Sequence, residues 1–190
     1  MYQLKMQSYS GFAPLARSTG PMLNEESYHL VTGLTGLQRI RRAGRMPLDI
    51  IQRRFNYWLS ACYDLFGHER SRGAGNAYRW GLKGRFNEPE AAPVADPERV
   101  NELARELYYK EVQSLIEVLN REISDDRPKL YAPDIKFHRA IGEFKGQRYS
   151  VHGDALDEPA YERHLEEVLP TDNDRKTIDE VTKDAGWIAP

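Results

Sequence analysis

Met22-Leu23-Asn24-Glu25-Glu26-Ser27-Tyr28-His29-Leu30 is the stretch on which the reading of this chain turns. Leu15, Met22, Leu23, Leu30 and Val31 recur at helical separations, and Glu26 and His29, three apart on a helix, stand on one face. A carboxylate and an imidazole so placed can share a metal ion. The segment therefore predicts a helix and half of a metal site together. Gly20-Pro21 interrupts the pattern upstream. Proline lacks an N–H and its ring collides with the preceding turn, so the helix is expected to kink or restart there, with Ser18 or Thr19 as its cap.

Outward from this helix, residues 37–45 read as a basic connection carrying Arg39, Arg41, Arg42 and Arg45. Pro47 opens a second helix, reaching Phe66, whose apolar face is Phe55, Trp58, Leu59, Cys62, Leu65 and Phe66. Residues 74–82 suit a short helix, and 87–97 a loop rich in Pro and Glu. Residues 98–123 carry the longest helical pattern, from Val100 through Val112 and Ile116 to Ile123, about 39 Å at roughly 1.5 Å per residue. Pro128 and Pro133 end it and open a mostly irregular stretch to Ala155, with residues 145–151 as a hairpin edge. Asp157 is placed to cap a helix over residues 158–169. Thr171 to Asp174 resembles a capping box for a last helix that ends before Gly186. The chain is mostly α, divided at about residue 127 into a helical portion (1–127) and an irregular, partly helical extension (128–190).

Composition narrows the classes. A chain of 190 residues suits one domain with a sizeable core. A net charge of −2 gives no global attraction to nucleic acid or an anionic membrane. The single cysteine, Cys62, excludes an intrachain disulfide framework and is read as core. No apolar run approaches the length of a membrane span, and the first twenty residues lack the core of a signal peptide, so a cytoplasmic address is expected.

Carboxylate-bridged di-iron proteins draw a Glu-x-x-His from each of two helices and one carboxylate from each of two more. This chain holds one such motif, which reads as an oxygenase-type di-iron half-site at Glu26 and His29. The same spacing also arises as a solvated pair on an exposed helix face. The other histidines read as surface groups (His68, His152, His164) or as a structural hydrogen-bonding residue (His138). Lys83 and Arg85, in Gly81-Leu82-Lys83-Gly84-Arg85-Phe86, combine cations with a turn that lets backbone approach a phosphate, and Arg70 and Arg72 could join them. A tight turn with solvated charges fits this composition too. Walker loops, nucleophile elbows and zinc clusters are absent from the sequence.

Several of these segments resemble the oxygenase component of benzoyl-CoA 2,3-epoxidase, in its C-terminal half. They are Phe12 to Arg17, Met22 to His29, Gly81 to Phe86, Phe137-His138-Arg139-Ala140-Ile141-Gly142, Leu169-Pro170-Thr171 with Asp174-Arg175, and Trp187-Ile188-Ala189-Pro190, in family order. The resemblance implies part of a ferritin-like bundle with Glu26 and His29 as iron ligands. It also implies electrons from an NADPH-oxidising reductase carrying flavin and iron–sulfur centres, and dioxygen used to epoxidise the ring of benzoyl-CoA or a related aryl-CoA. By their chemistry, Lys83 and Arg85 are candidate anchors for the CoA part. The family's other ligands fall upstream of Met1, in a missing N-terminal half, and Gly20-Pro21 replaces residues that continue the ligand helix, so the retained pair is expected to be displaced. The chain is thus expected to be inactive alone. Two alternatives stand beside this. One is a non-catalytic helical interaction or assembly protein derived from the family; the other is a homodimer that contributes two Glu-x-x-His pairs across its interface, with Glu25 as an extra donor.

Overall fold

A computed structural model describes residues 1–88, 92, 94–124 and 126–183. In chain order the helices are α1 (Tyr2–Gln7), α2 (Ala13–Ala43), α3 (Leu48–Asp64), α4 (Arg72–Arg79), α5 (Val100–Asn120), α6 (Glu158–Val168) and α7 (Asp172–Lys183), with a 3-10 turn at Pro97–Arg99 leading into α5. The mostly α fold expected from periodicity is what the chain adopts. Among the described residues the hairpin edge over residues 145–151 reduces to one antiparallel bridge between Tyr149 and Ala155.

The expected restart at Gly20-Pro21 is corrected: α2 is a single helix of 31 residues with Pro21 inside it. A proline removes one backbone donor, and the hydroxyls just before it make local bonds to helix carbonyls. Ser18 Oγ donates to Leu15 O and Thr19 Oγ1 to Ala16 O, each at 2.8 Å, so neither residue acts as a cap. The basic connection is corrected as well. Arg39, Arg41 and Arg42 lie in the last turns of α2, where cations suit the carbonyl end of the helix dipole. The helix stops at Gly44, whose φ of 64° supplies the left-handed cap. Arg42 then ties this end to Glu122, just beyond α5, at 2.5 Å.

Two apolar clusters hold the helices. In one, Ile51, Leu59 and Tyr63 of α3 meet Val112, Ile116 and Leu119 of α5, with Leu34 and Leu37 of α2 against them. In the other, Tyr2 and Met6 of α1 pack with Phe66, Ala74, Val100 and Ala104. The face of α3 opposite its apolar stripe is buried although polar, and it fastens the irregular segment after α5. Gln52 exchanges both amide bonds with the backbone of Tyr131, at 2.9 and 3.0 Å, and Asn56 Nδ2 donates to Val151 O at 2.8 Å. Amide side chains here substitute for the strand partner that this segment lacks.

The same segment is clasped by buried ions. Arg105, with no exposed surface, meets Glu69 at 2.9 Å, and Arg139 bridges Glu69 at 2.9 Å and Asp64 at 2.5 Å. The N–H groups of Ala140 and Glu143 donate to Asp64 and Glu69. Burial pushes the Glu69 carboxyl up, but the Glu143 N–H, Arg105 and Arg139 outweigh it and hold it below its ordinary value. Phe137 to Gly142 is therefore a structural clasp. His138 fits the hydrogen-bonding role expected of it, its Nε2 lying 3.2 Å from Tyr149 O.

Asp157 caps α6 through Ala160 N at 2.8 Å, and Thr171 and Asp174 exchange the two bonds of a capping box at 2.7 and 3.3 Å. No described residue of α6 or α7 is buried. The expected end of α7 before Gly186, and Trp187 to Pro190, lie outside the described residues. Among those that are described, no helix is long and apolar enough to cross a membrane.

Candidate metal half-site in an apolar groove

Leu30 and Leu34 of α2, Phe55 and Leu59 of α3, and Leu115 and Ile116 of α5 line a groove of about 570 Å³. The apolar stripe read from α3 is real, but much of it faces this groove instead of a closed core. Leu59 and Phe66 are buried and Cys62 is half-buried. Trp58 (64% exposed) and Leu65 (76%) correct the expectation that the whole stripe is covered.

Glu26 and His29 sit at the mouth of the groove. Helical spacing brings His29 Nδ1 to 3.6 Å from Glu26 Oε1, so the two side chains are neighbours on α2. Glu25 Oε1 stands 3.9 Å from the other ring nitrogen, and the Met1 amine is 4.0 Å from Glu26 Oε2. Both side chains are open, His29 at 63% and Glu26 at 41%. Both imidazole nitrogens and the Glu26 carboxylate are thus available to an incoming group.

Glu111 also lines the groove, from α5, and it was not singled out by sequence. The signal was there: Leu107, Glu111 and Leu115 follow one another at four-residue spacing, placing a carboxylate inside an apolar stripe. The Tyr2 hydroxyl donates to Leu107 O at 3.2 Å, and burial, then the nearby Glu111 carboxylate, raise its pKa. Among the described residues no group of three or more His, Cys, Asp or Glu is close enough to hold a metal. The donors fit one edge of a two-metal site and not a whole one, so no reaction step can be built on this chain's ligands alone.

Lys83 and Arg85 point elsewhere. Lys83 Nζ donates to Asn101 Oδ1 at 2.7 Å and Gln3 Oε1 at 3.2 Å, and burial brings its pKa down to about 8. Arg85 is buried against Glu88 and also donates to Ala92 O. Arg70 pairs with Asp96 at 3.0 Å and is not drawn into a cluster with them. His68 is exposed, as read. His152 is only half-exposed and lies 3.4 Å from Asp49. His164 is not the exposed group expected: its side chain is 14% exposed, and its Nε2 accepts the Val151 N–H at 2.9 Å, joining α6 to the irregular segment.

Fold and site together define a mostly helical protein with a Glu-x-x-His pair at the edge of an open apolar groove. No protein-family model matches the chain. It is 30% identical to benzoyl-CoA oxygenase component B of Aromatoleum evansii over 241 aligned positions, covering 99% of this chain and 50% of that protein. The resemblance carried by the motifs is borne out, and the chain is a relative of component B. It spans about half the length of the relative it matches. The alignment is longer than the chain's 190 residues, so the relative also carries residues between matched segments that this chain lacks.

Proposed function

We propose that this chain is the C-terminal portion of a benzoyl-CoA oxygenase component, and that its groove is one side of a ferritin-like di-iron bundle. The observation that carries the proposal is the pair Glu26 and His29, 3.6 Å apart on one helical face at the mouth of an apolar groove, in a chain similar throughout to component B. When bound, iron would supply the means of activating dioxygen, with electrons from a flavin and iron–sulfur reductase that oxidises NADPH. The product would be the ring epoxide of benzoyl-CoA or a related aryl-CoA. Glu26 and His29 would hold the metal from α2, while the apolar walls on α3 and α5 would exclude water from the ring. Lys83 and Arg85 would anchor the CoA part by exchanging their present partners for phosphate. In this reading residues 1–127 belong to the bundle, residues 128–190 form its extension, the protein works in the cytoplasm, and the chain is inactive alone.

Iron content tests this. Reconstituted anaerobically by itself, the chain should hold no more iron than its Glu26→Ala and His29→Ala variants. Combined with the complementing half of component B it should take up about two irons per assembly, lost in either variant. Uptake that both substitutions leave unchanged would remove Glu26 and His29 from the site. Two irons in the chain alone, lost in both variants, would instead establish a site completed by a second copy.

A further inference from the structure

Lys83 is held in a setting that suits an uncharged amine. Its Nζ has two partners, Asn101 Oδ1 at 2.7 Å and Gln3 Oε1 at 3.2 Å, both neutral amide oxygens. An ammonium carries three donors, whereas a neutral amine carries two and a lone pair in the third direction. Among the described residues no carboxylate forms an ion pair with Lys83, and Glu88, the next acidic residue along the chain, is held by Arg85. The two acceptors are themselves fixed. Asn101 Nδ2 donates to Phe66 O at 3.0 Å, which turns Oδ1 toward Lys83. Gly84 N donates to Met6 O at 2.8 Å, and a Cβ at Gly84 would overlap Tyr9, so the backbone carrying Lys83 lies against α1, the helix of Gln3. Lys83 is half-buried beside exposed Gly81 and Leu82, covered yet within reach of a small reagent.

We propose that Lys83 is an acyl-acceptor site, a position of covalent modification that takes the acyl group of a thioester. A desolvated lysine without a counter-ion is a nucleophile. Neutral Nζ attacks the thioester carbonyl carbon; an N–C bond forms as the C–S bond breaks, and the amine proton leaves with the sulfur as a thiol. No oxidant or reductant takes part. The amide product keeps one N–H for Asn101 or Gln3 and adds no charge. An aldehyde would leave either an iminium cation with no carboxylate beside it or an imine with no N–H for either oxygen. A thioester also asks for no cation at its leaving sulfur, unlike an acyl phosphate. Acylation removes the charge at Lys83, so this chemistry goes beyond the anchoring role given above and does not depend on iron.

The full chain is incubated with acetyl-CoA at about pH 7.5, and peptide mass spectrometry follows acetylation of Lys83 beside that of exposed Lys110, Lys145 and Lys176. At that pH about a quarter of an amine with pKa about 8 is neutral, against about one in a thousand for an amine at 10.5. Lower basicity offsets part of this advantage, so Lys83 should react about tenfold faster than the three exposed lysines. Its rate should rise less than about twofold between about pH 8.5 and 9.5. Gln3→Glu places a carboxylate beside the amine and should slow acetylation about tenfold, whereas Gln3→Met, which leaves the site uncharged, should stay within about threefold of the parent. A Lys83 rate no higher than at the exposed lysines would overturn the proposal, as would a rate that climbs about tenfold over that pH interval or one that Gln3→Glu leaves unchanged. If Gln3→Glu does not fold, the pH profile of the parent decides. Acetyl phosphate is run in parallel, and modification by it without modification by acetyl-CoA would overturn the thioester assignment.

Discussion

Gly142→Ala probes the clasp that fixes the irregular segment to the helices. Gly142 has φ +83°, and a Cβ built there overlaps the Glu69 carboxylate, the group that Arg105 and Arg139 share. The backbone conformation alone should cost about 1 kcal/mol in a residue with a side chain. Pushing Glu69 off two buried guanidinium groups adds about 3 kcal/mol, the lower part of the range for breaking a buried ion pair. The expected loss is therefore about 4 kcal/mol, a large share of the stability of an ordinary domain. Gly146 is the internal control. Its φ is +78° with open space around the missing side chain, so Gly146→Ala should lose only the backbone part, about 1 kcal/mol. Urea unfolding of the two variants and the parent, compared at constant m-value, gives the difference. If Gly142→Ala lies within about 0.5 kcal/mol of Gly146→Ala, the ion cluster is not what the overlap disturbs, and the clasp as described here is wrong.

Lys83 should leave a mark on the pH dependence of stability. Its pKa falls from 10.5 to about 8 on folding, so between those pH values the unfolded chain binds more protons and stability rises with pH. The cost of the buried charge is fully present below about pH 8 and relieved above about pH 10.5. Parent minus Lys83→Met should therefore climb across that window by about 2 kcal/mol, after discounting for solvent screening; a flat difference in chemical denaturation would refute it. Asn56→Ala should destabilise by about 2 kcal/mol by stranding the Val151 carbonyl and one Gln52 amide bond. Hydrogen exchange should locate the loss in the segment after α5, and an effect confined to α3 would contradict the fastening role.

The adjacency of Glu26 and His29 needed little beyond the sequence, because three-residue spacing on a helix fixes which side chains are neighbours. The same holds for α5, whose periodicity is long enough to set its face, and for the caps at Asp157 and Thr171, whose bonds reach only three residues. These are short-range matters, settled by backbone geometry. Where interactions join residues far apart in the chain, sequence fell short. Gln52 and Asn56 look like solvent-facing residues until the backbone of Tyr131 and Val151 arrives against them. Arg105 looks like one more charge on a helix until Glu69 and Gly67 enclose it. Lys83 and Arg85 were read as outward cations, and their partners are Asn101, Gln3 and Glu88. The continuity of α2 through Pro21 was likewise decided by the whole helix, since one missing donor is a small loss beside a helix of 31 residues held by its neighbours. Sequence alone determined the period of the helices, the caps at Asp157 and Thr171, and the adjacency of Glu26 and His29. Only the tertiary structure decided that the motif opens onto an apolar groove, because a groove is made by three helices whose spacing no single stretch of sequence encodes.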